Sequence, residues 1–517
     1  MITNEEMDDS HVPLVMAFVV EKQNDPPPTL LTESILMDGS HKPGLDGGDR
    51  KDNMLPYTTT AEDFQEQVSR PSTVYRDVFF LVAWAVDCLI VVCIGIFAGI
   101  SCMHTDGKCM SASMNPHHAT AVEDRPTELL GPLTTAFVVA AIMCAVMIVL
   151  VQWYSQTFLK CMLWTSIGLP AATGALMLAV QPVVGVILLV MAAGTCCYYA
   201  MVRKRLEFAG VMLETACTAI RRYPESVIVA FGPLFVQLIV VVFFALAYYG
   251  AEATTIDFGG FLLEFFLLFS LFWTLQIVQN VAHCSTCGVV GSWWFTNNDR
   301  TVAGAFKRAA TTSLGSICFG SLIVALLRTV RIMVSQFRKA SERNGRLGRA
   351  LGCMMHCVEY VLNIIEHYAR YMNSYAYCFV ALYGKDFRTS GREVQALFQQ
   401  RGWTAVINDD LVSTTLVVAN FGVAAVSALA GGLASRSSSY ARISQVTMPA
   451  FVLGLLMAFT VTGVLMSAVR TIFVWYAKAS DVIGRTRPES AEKLRKAWEK
   501  FHPTSVVVIG SPAASQV

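Results

Sequence analysis

The chain has 517 residues, 54% of them apolar and 15% charged, with a formal net charge of +1, whereas soluble domains carry about 25% charged residues. That composition excludes a soluble monomer, and the near-neutral balance gives no basic surface for nucleic acid. Uncharged apolar runs of about 20 residues, the length that crosses a bilayer core of about 30 Å, recur roughly ten times where a β-barrel would show short alternating strands. An all-α polytopic integral membrane protein is the predicted fold class.

In chain order, residues 1–76 are expected to form a disordered acidic tail on the cytoplasmic side. Residues 1–70 hold 14 acidic and 5 basic side chains, and Pro26-Pro27-Pro28 and Gly47-Gly48 oppose a packed core. The apolar stretch from Val12 to Val20 is too short to span. Glu5, Glu6, Asp8 and Asp9 stand before it where a secretory signal carries positive charge, so no cleaved signal is expected.

A transmembrane domain over 77–477 follows, with spans predicted at 78–100, 132–153, 161–180, 183–202, 226–249, 258–282, 309–332, 357–383, 411–433 and 447–476. Residues 478–517 are expected to be a cytoplasmic tail containing a charged helix from Pro488 to Phe501. Arg203, Lys204, Arg205, Arg221 and Arg222 mark the loop after the fourth span as cytoplasmic, while 250–257 carries no basic residue, so both termini are expected inside. Trp153, Tyr154, Tyr198, Tyr199, Tyr248 and Tyr249 sit at span ends, as interfacial belts do. The segments at 309–332 and 357–383 have basic residues on both sides, which leaves open an alternative of eight full spans and two partial ones.

Of the 15 cysteines, Cys88, Cys93, Cys144, Cys196, Cys197 and Cys318 lie in apolar runs and read as small core hydrophobes. Cys102 and Cys109 lie in a polar loop after the first span, and would form a disulfide if that loop is external.

Two charge patterns stand out. Arg328, Arg331, Arg338, Lys339, Arg343, Arg346 and Arg349 fall within an arc of about 140° at helical spacing. This predicts an amphipathic basic helix over 328–355, with anionic headgroups as its partner. Farther on, Glu359, Asn363, Glu366, Arg370, Asn373 and Tyr377 recur at alternating spacings of 4 and 3, a stripe about 80° wide. Ionisable groups at membrane depth are costly unless paired or wetted, so the stripe is either a salt-bridged helix seam or part of a solute pathway.

Other intramembrane polar groups are candidates for the same pathway. Asp87 follows Trp84 in the first span. Glu264 shares the sixth span with Trp273, Gln276, Gln279, Asn280 and His283, and acids beside aromatic faces suit a quaternary ammonium ion. His283, Cys284 and Cys287 form one Cys-x-x-Cys pair beside a histidine, but no second pair follows at zinc spacing, so packing is expected and neither metal nor cofactor. Walker A, Gly-x-Ser-x-Gly, His-Glu-x-x-His and Gly-x-Gly-x-x-Gly patterns are all missing, which argues against an enzyme.

Three strings carry a family resemblance: FWTLQIVQNVAHCSTCGVVGSWWF from Phe272 to Phe295, AFKRAATTSLGSICFGSLIVALLR from Ala305, and NSYAYCFVALYGKDFRTSG from Asn373 to Gly391. With them the chain resembles the choline transporter-like family of solute carriers over roughly 76–485, and the second string is most similar to its fungal branch. The resemblance implies a ten-helix plasma-membrane carrier with cytoplasmic termini, moving choline, with ethanolamine as the second candidate. One position departs: where the family commonly has Asp before Thr-hydrophobic-Phe, this chain has Arg470 before Thr471-Ile472-Phe473. The expected function is secondary transport of choline or a related small organic cation by alternating access. The alternatives are a non-transporting membrane regulator or lipid sensor, and a channel or lipid translocator.

Overall fold

The computed structural model describes residues 74–104, 127–203, 206–252, 258–295, 301–342, 345–401, 404–435 and 440–501, all within the compact unit 59–517. They form α1 (Val78–His104), α2 (Thr127–Met177), α3 (Pro182–Val202), α4 (Leu206–Arg222), α5 (Glu225–Glu252), α6 (Phe258–Phe295) and α7 (Val302–Ala310), followed by α8 (Leu314–Glu342), α9 (Gly345–Tyr383), α10 (Phe387–Arg401), α11 (Thr404–Ala434), α12 (Tyr440–Lys478), α13 (Ser480–Thr486) and α14 (Pro488–Phe501). The architecture is all-α, because a helix satisfies every backbone N–H and C=O within one segment and so tolerates hydrocarbon on all sides. The side chains of Cys102 and Cys109 lie outside the described residues, as do residues 1–73.

Among the described residues, eight helices are long and apolar enough to cross a membrane. The difference from the ten predicted spans has two sources. The runs at 132–153 and 161–180 fall in α2, whose apolar part covers 47 residues, about 70 Å at 1.5 Å per residue, and whose path breaks at Tyr154 (φ −134°, ψ 38°). The run at 357–383 lies in α9, a continuous 39-residue helix whose charges exclude it from that set.

The helix ends are ordered by specific contacts. Asp77, just before α1, accepts from Ser316 Oγ at 2.6 Å and from the Phe387 backbone N–H at 3.0 Å. Trp294 Nε1 donates to Ala479 O at 3.1 Å, and Thr486 Oγ1 donates to Trp294 O at 3.0 Å. Lys493 pairs with Glu214 at 2.9 Å. The start of α1, the ends of α6, α9 and α12, and the short helices α4, α10, α13 and α14 therefore share one end of the bundle. There α14 buries Ala491, Leu494 and Trp498, with Trp498 edge-on to Phe208 of α4 at 5.5 Å.

The predicted single basic helix over 328–355 is instead two helices. α8 ends at Glu342 and α9 begins at Gly345, and the two run antiparallel, with Arg331 on Glu366 at 2.7 Å and Arg338 on Glu359 at 3.0 Å. Helical periodicity is blind to a chain reversal, whereas Asn344-Gly345 is a turn signal. The cysteines also divide. Cys144 and Cys318 are core, but Cys93, Cys196 and Cys197 are exposed, because the outer face of such a bundle meets lipid and is as apolar as its interior.

Candidate functional site

A cavity of about 460 Å³ opens between α5, α6, α8, α9 and α12, within the range of about 300–1,000 Å³ for small-molecule sites. Its wall includes Gln276 and Asn280 near the middle of α6 and Thr460 and Gly463 near the middle of α12. It is markedly polar for a site inside apolar helices. The amides of Gln237, Gln276, Gln279, Asn280 and Asn373 line it, with the hydroxyls of Thr286, Ser374, Tyr377 and Ser467. Arg328, Arg370 and Arg470 add cationic groups.

Hydrogen bonds fix much of this wall. Asn280 Nδ2 donates to Ser321 Oγ at 2.9 Å and to Tyr377 Oη at 3.3 Å, and Tyr377 Oη donates to Ile317 O at 3.2 Å. Asn373 Nδ2 donates to Gly320 O at 2.6 Å, and Gln237 Nε2 to Leu275 O at 3.2 Å. Gly320 is required here, since a Cβ on it would stand 2.5 Å from the Phe387 ring. Satisfied amides and hydroxyls of this kind hold a polar wall rigid in a low-dielectric setting.

The polar stripe of α9 has a divided fate. Glu359, Glu366, Asn373 and Tyr377 all bond to α8, which makes the stripe a helix seam. At its far end Arg370, Asn373 and Tyr377 also face the cavity. Glu366, 2% exposed, takes Arg331 at 2.7 Å, Arg328 at 3.4 Å and Arg370 on one carboxylate. Asn363 is exposed.

Of the remaining predicted pathway residues, Gln276, Gln279, Asn280 and His283 reach the cavity, whereas Asp87, Trp84, Glu264 and Trp273 do not. Asp87 is buried in α1, where Ser270 Oγ donates to its Oδ1 at 2.6 Å. Trp84 Nε1 donates to Thr274 Oγ1 at 3.3 Å, and Trp273 Nε1 to Cys318 O at 3.0 Å. Glu264 lies in a second hollow of about 330 Å³ among apolar side chains, accepting from Gln336 Nε2 at 3.2 Å. Of the residues assigned to headgroups, Arg331 and Arg338 are held by carboxylates and Lys339 is exposed, while Arg343 and the side chain of Arg346 lie outside the described residues. Gln237, Ser374 and Ser467 carried no signal in the sequence. Arg470 did, as an arginine within an apolar run.

His283, Cys287 and Cys378 offer ligand atoms within 4.8 Å of one another. The imidazole is already engaged: Nε2 faces Ser374 O at 2.8 Å and Nδ1 faces Ser467 Oγ at 2.7 Å. A carbonyl only accepts, so Nε2 carries the proton, and a metal there would displace one of these bonds.

Toward the end that holds α13 and α14, aromatic packing closes the bundle. The Trp475 ring meets Phe295, Phe379 and Tyr383 at 5.2, 5.3 and 5.4 Å, all buried. Beside them Glu393 of α10 joins Lys478, at 2.5 Å, and Lys385. Burial raises the Glu393 carboxyl, but the two ammonium groups outweigh it and hold it below the ordinary glutamate range.

Comparison with known proteins agrees with this architecture. The sequence profile of a family described as plasma-membrane choline transporter matches residues 186–481. A CTL-like protein of Dictyostelium discoideum is 27% identical over 319 residues, covering 59% of this chain and 55% of that protein. Protein PNS1 of Debaryomyces hansenii is 30% identical over 326 residues, covering 58% of this chain and 63% of its own. Protein PNS1 of Mycosarcoma maydis is 26% identical over 480 residues, covering 87% and 88%. With a match from 186 to 481 across more than half its length, the chain belongs to the choline transporter-like family.

Proposed function

We propose that the protein is a secondary transporter that carries choline or a related small organic solute across the membrane by alternating access. The observation that supports this is the polar cavity of about 460 Å³ halfway along α6 and α12, the depth at which carriers hold their substrates. The aromatic cluster around Trp475 is the closed gate on the α13–α14 side, and transport requires it to part. Family membership favours a choline-like solute, and the rings of Tyr377 and Phe459 in the wall are the surfaces on which a methylammonium group would rest.

The test is uptake of labelled choline into liposomes containing the pure protein. Time-dependent accumulation is expected, and Gln276→Leu, which removes an amide from the wall, should lower it about tenfold with the melting temperature unchanged. Wild-type liposomes no more permeable to choline, ethanolamine or a choline-sized zwitterion than empty ones would overturn the transporter reading.

A further inference from the structure

The charge of the cavity runs against a bare cation. Three arginines line it, Arg328, Arg370 and Arg470, and among the described residues no Asp or Glu does. Glu366 is the carboxylate beside it, and three guanidiniums share it, so this cluster of four charged groups keeps a surplus of two positive charges. Asp87, Glu264 and Glu359 bond to Ser270, Gln336 and Arg338, none of which lines the cavity.

Two of these guanidiniums, those of Arg328 and Arg370, also have unused donors. Arg328 turns Nε to Glu366 and Arg370 turns Nη2 to it, and the other N–H groups of both have no partner among the described residues. Each guanidinium presents five donors in a rigid fork that matches the two oxygens of a carboxylate or phosphate. Such charge-assisted bonds are stronger than neutral ones, and fixed positive charge repels a cation that brings no anion with it.

We propose that the cavity binds a carboxylate or phosphate group, so that among solutes with a choline-like head it prefers a zwitterion or anion bearing that group over choline itself. The proposal rests on the cavity being the transport site, and it narrows the substrate class. Choline, glycine betaine and phosphocholine test it, because they share the trimethylammonium head and differ at the other end in a hydroxyl, a carboxylate and a phosphate.

Binding of each to the purified full chain would be measured by titration calorimetry and by the shift in melting temperature, for wild type, Arg370→Gln, Arg470→Gln and Arg370→Lys. Glu366 keeps Arg331 and Arg328 in Arg370→Gln, so that variant should fold. At least one of glycine betaine and phosphocholine should bind about tenfold or more tighter than choline, and whichever does so identifies the anion. Arg370→Gln or Arg470→Gln should erase that preference, and Arg370→Lys should restore part of it. Choline binding as tightly as both anionic probes, no binding of either by folded wild type, or a preference that survives both glutamine variants would overturn the proposal. Tight, arginine-dependent binding without accumulation in liposomes would leave this assignment standing and remove the transport reading, whereas choline uptake indifferent to Arg370 and Arg470 would do the reverse.

Discussion

At Glu366 a single carboxylate, 2% exposed, answers three arginines that are 26%, 35% and 46% exposed. Removing the carboxylate strands all three, whereas removing Arg370 leaves it two partners. Breaking a buried pair from its more buried side costs about 3–5 kcal/mol, and an exposed partner is worth about 0–1 kcal/mol. Glu366→Gln should therefore unfold at markedly lower temperature, Arg370→Gln should melt near wild type, and the double variant should stay low, as read by thermal unfolding in detergent. Recovery of the double variant would mean that the pair acts alone. Glu393 gives a pH-dependent counterpart. Its lowered carboxyl contributes stability that is present above the ordinary glutamate value of about 4.3 and is lost as pH falls through the lowered one. Wild type should lose melting temperature on acidification in that window and Glu393→Gln should lose less, having already given up about 1.5–3 kcal/mol at neutral pH. The Glu366–Arg370 spacing was legible in the sequence because it lies within one helix. Arg331 was not, because 35 residues separate it from its partner and only packing brings them together.

The α8–α9 hairpin shows why elements were harder to read than residues. Its basic arc and polar stripe each fit a helical period, but the period says nothing about which helix faces which, and the two patterns turn out to be halves of one seam. Arg338 bonds Glu359 across that seam at 3.0 Å and Glu342 along α8 at 2.9 Å. Arg338→Glu should destabilise by setting three acids together, and Glu359→Arg in the same chain should recover about 1 kcal/mol, a coupling of the size double-mutant cycles find for touching residues. Small residues define another contact, between α11 and α12. A Cβ on Gly454 would lie 2.7 Å from Ser427 Cβ and 3.1 Å from Ala424 Cα, while one on Gly422 meets nothing within 4 Å. Ser427 Oγ reaches Ala136 O at 3.1 Å and Ala450 O at 3.0 Å, so the same point ties in α2. Gly454→Val should cost about 1–3 kcal/mol through overpacking, and Gly422→Ala should not lower the melting temperature. Equal effects at the two glycines would refute close packing at Gly454.

For the whole molecule, composition was enough to predict the fold class, because a chain this apolar has few ways to satisfy its backbone. The sidedness of α8 and α9 was ambiguous because basic residues flank both ends of α8, and the rule that places them in the cytoplasm counts charges without asking whether they are neutralised. The structure distinguishes the two ends. Around α10, α13 and α14, Arg485 and Arg392 are exposed with no carboxylate partner among the described residues, while at the other end of α8 Arg331 and Arg338 are tied to Glu366 and Glu359 and Lys339 is exposed. By the excess of basic residues left without a carboxylate, the α13–α14 end is expected on the cytoplasmic side. α8 has 29 residues, about 43 Å at 1.5 Å each, longer than a hydrocarbon core of about 30 Å, so the α8–α9 connection should emerge on the opposite side. Tags placed before residue 74 and after residue 501 should both be shielded in intact cells and reached only after permeabilisation, because Asp77 and α14 sit at the same end. A tag inserted between Glu342 and Gly345 should be reached from outside without permeabilisation. If that tag is instead shielded along with the terminal ones, α8 and α9 enter and return on one side, and the paired arginines lie in the membrane without crossing it.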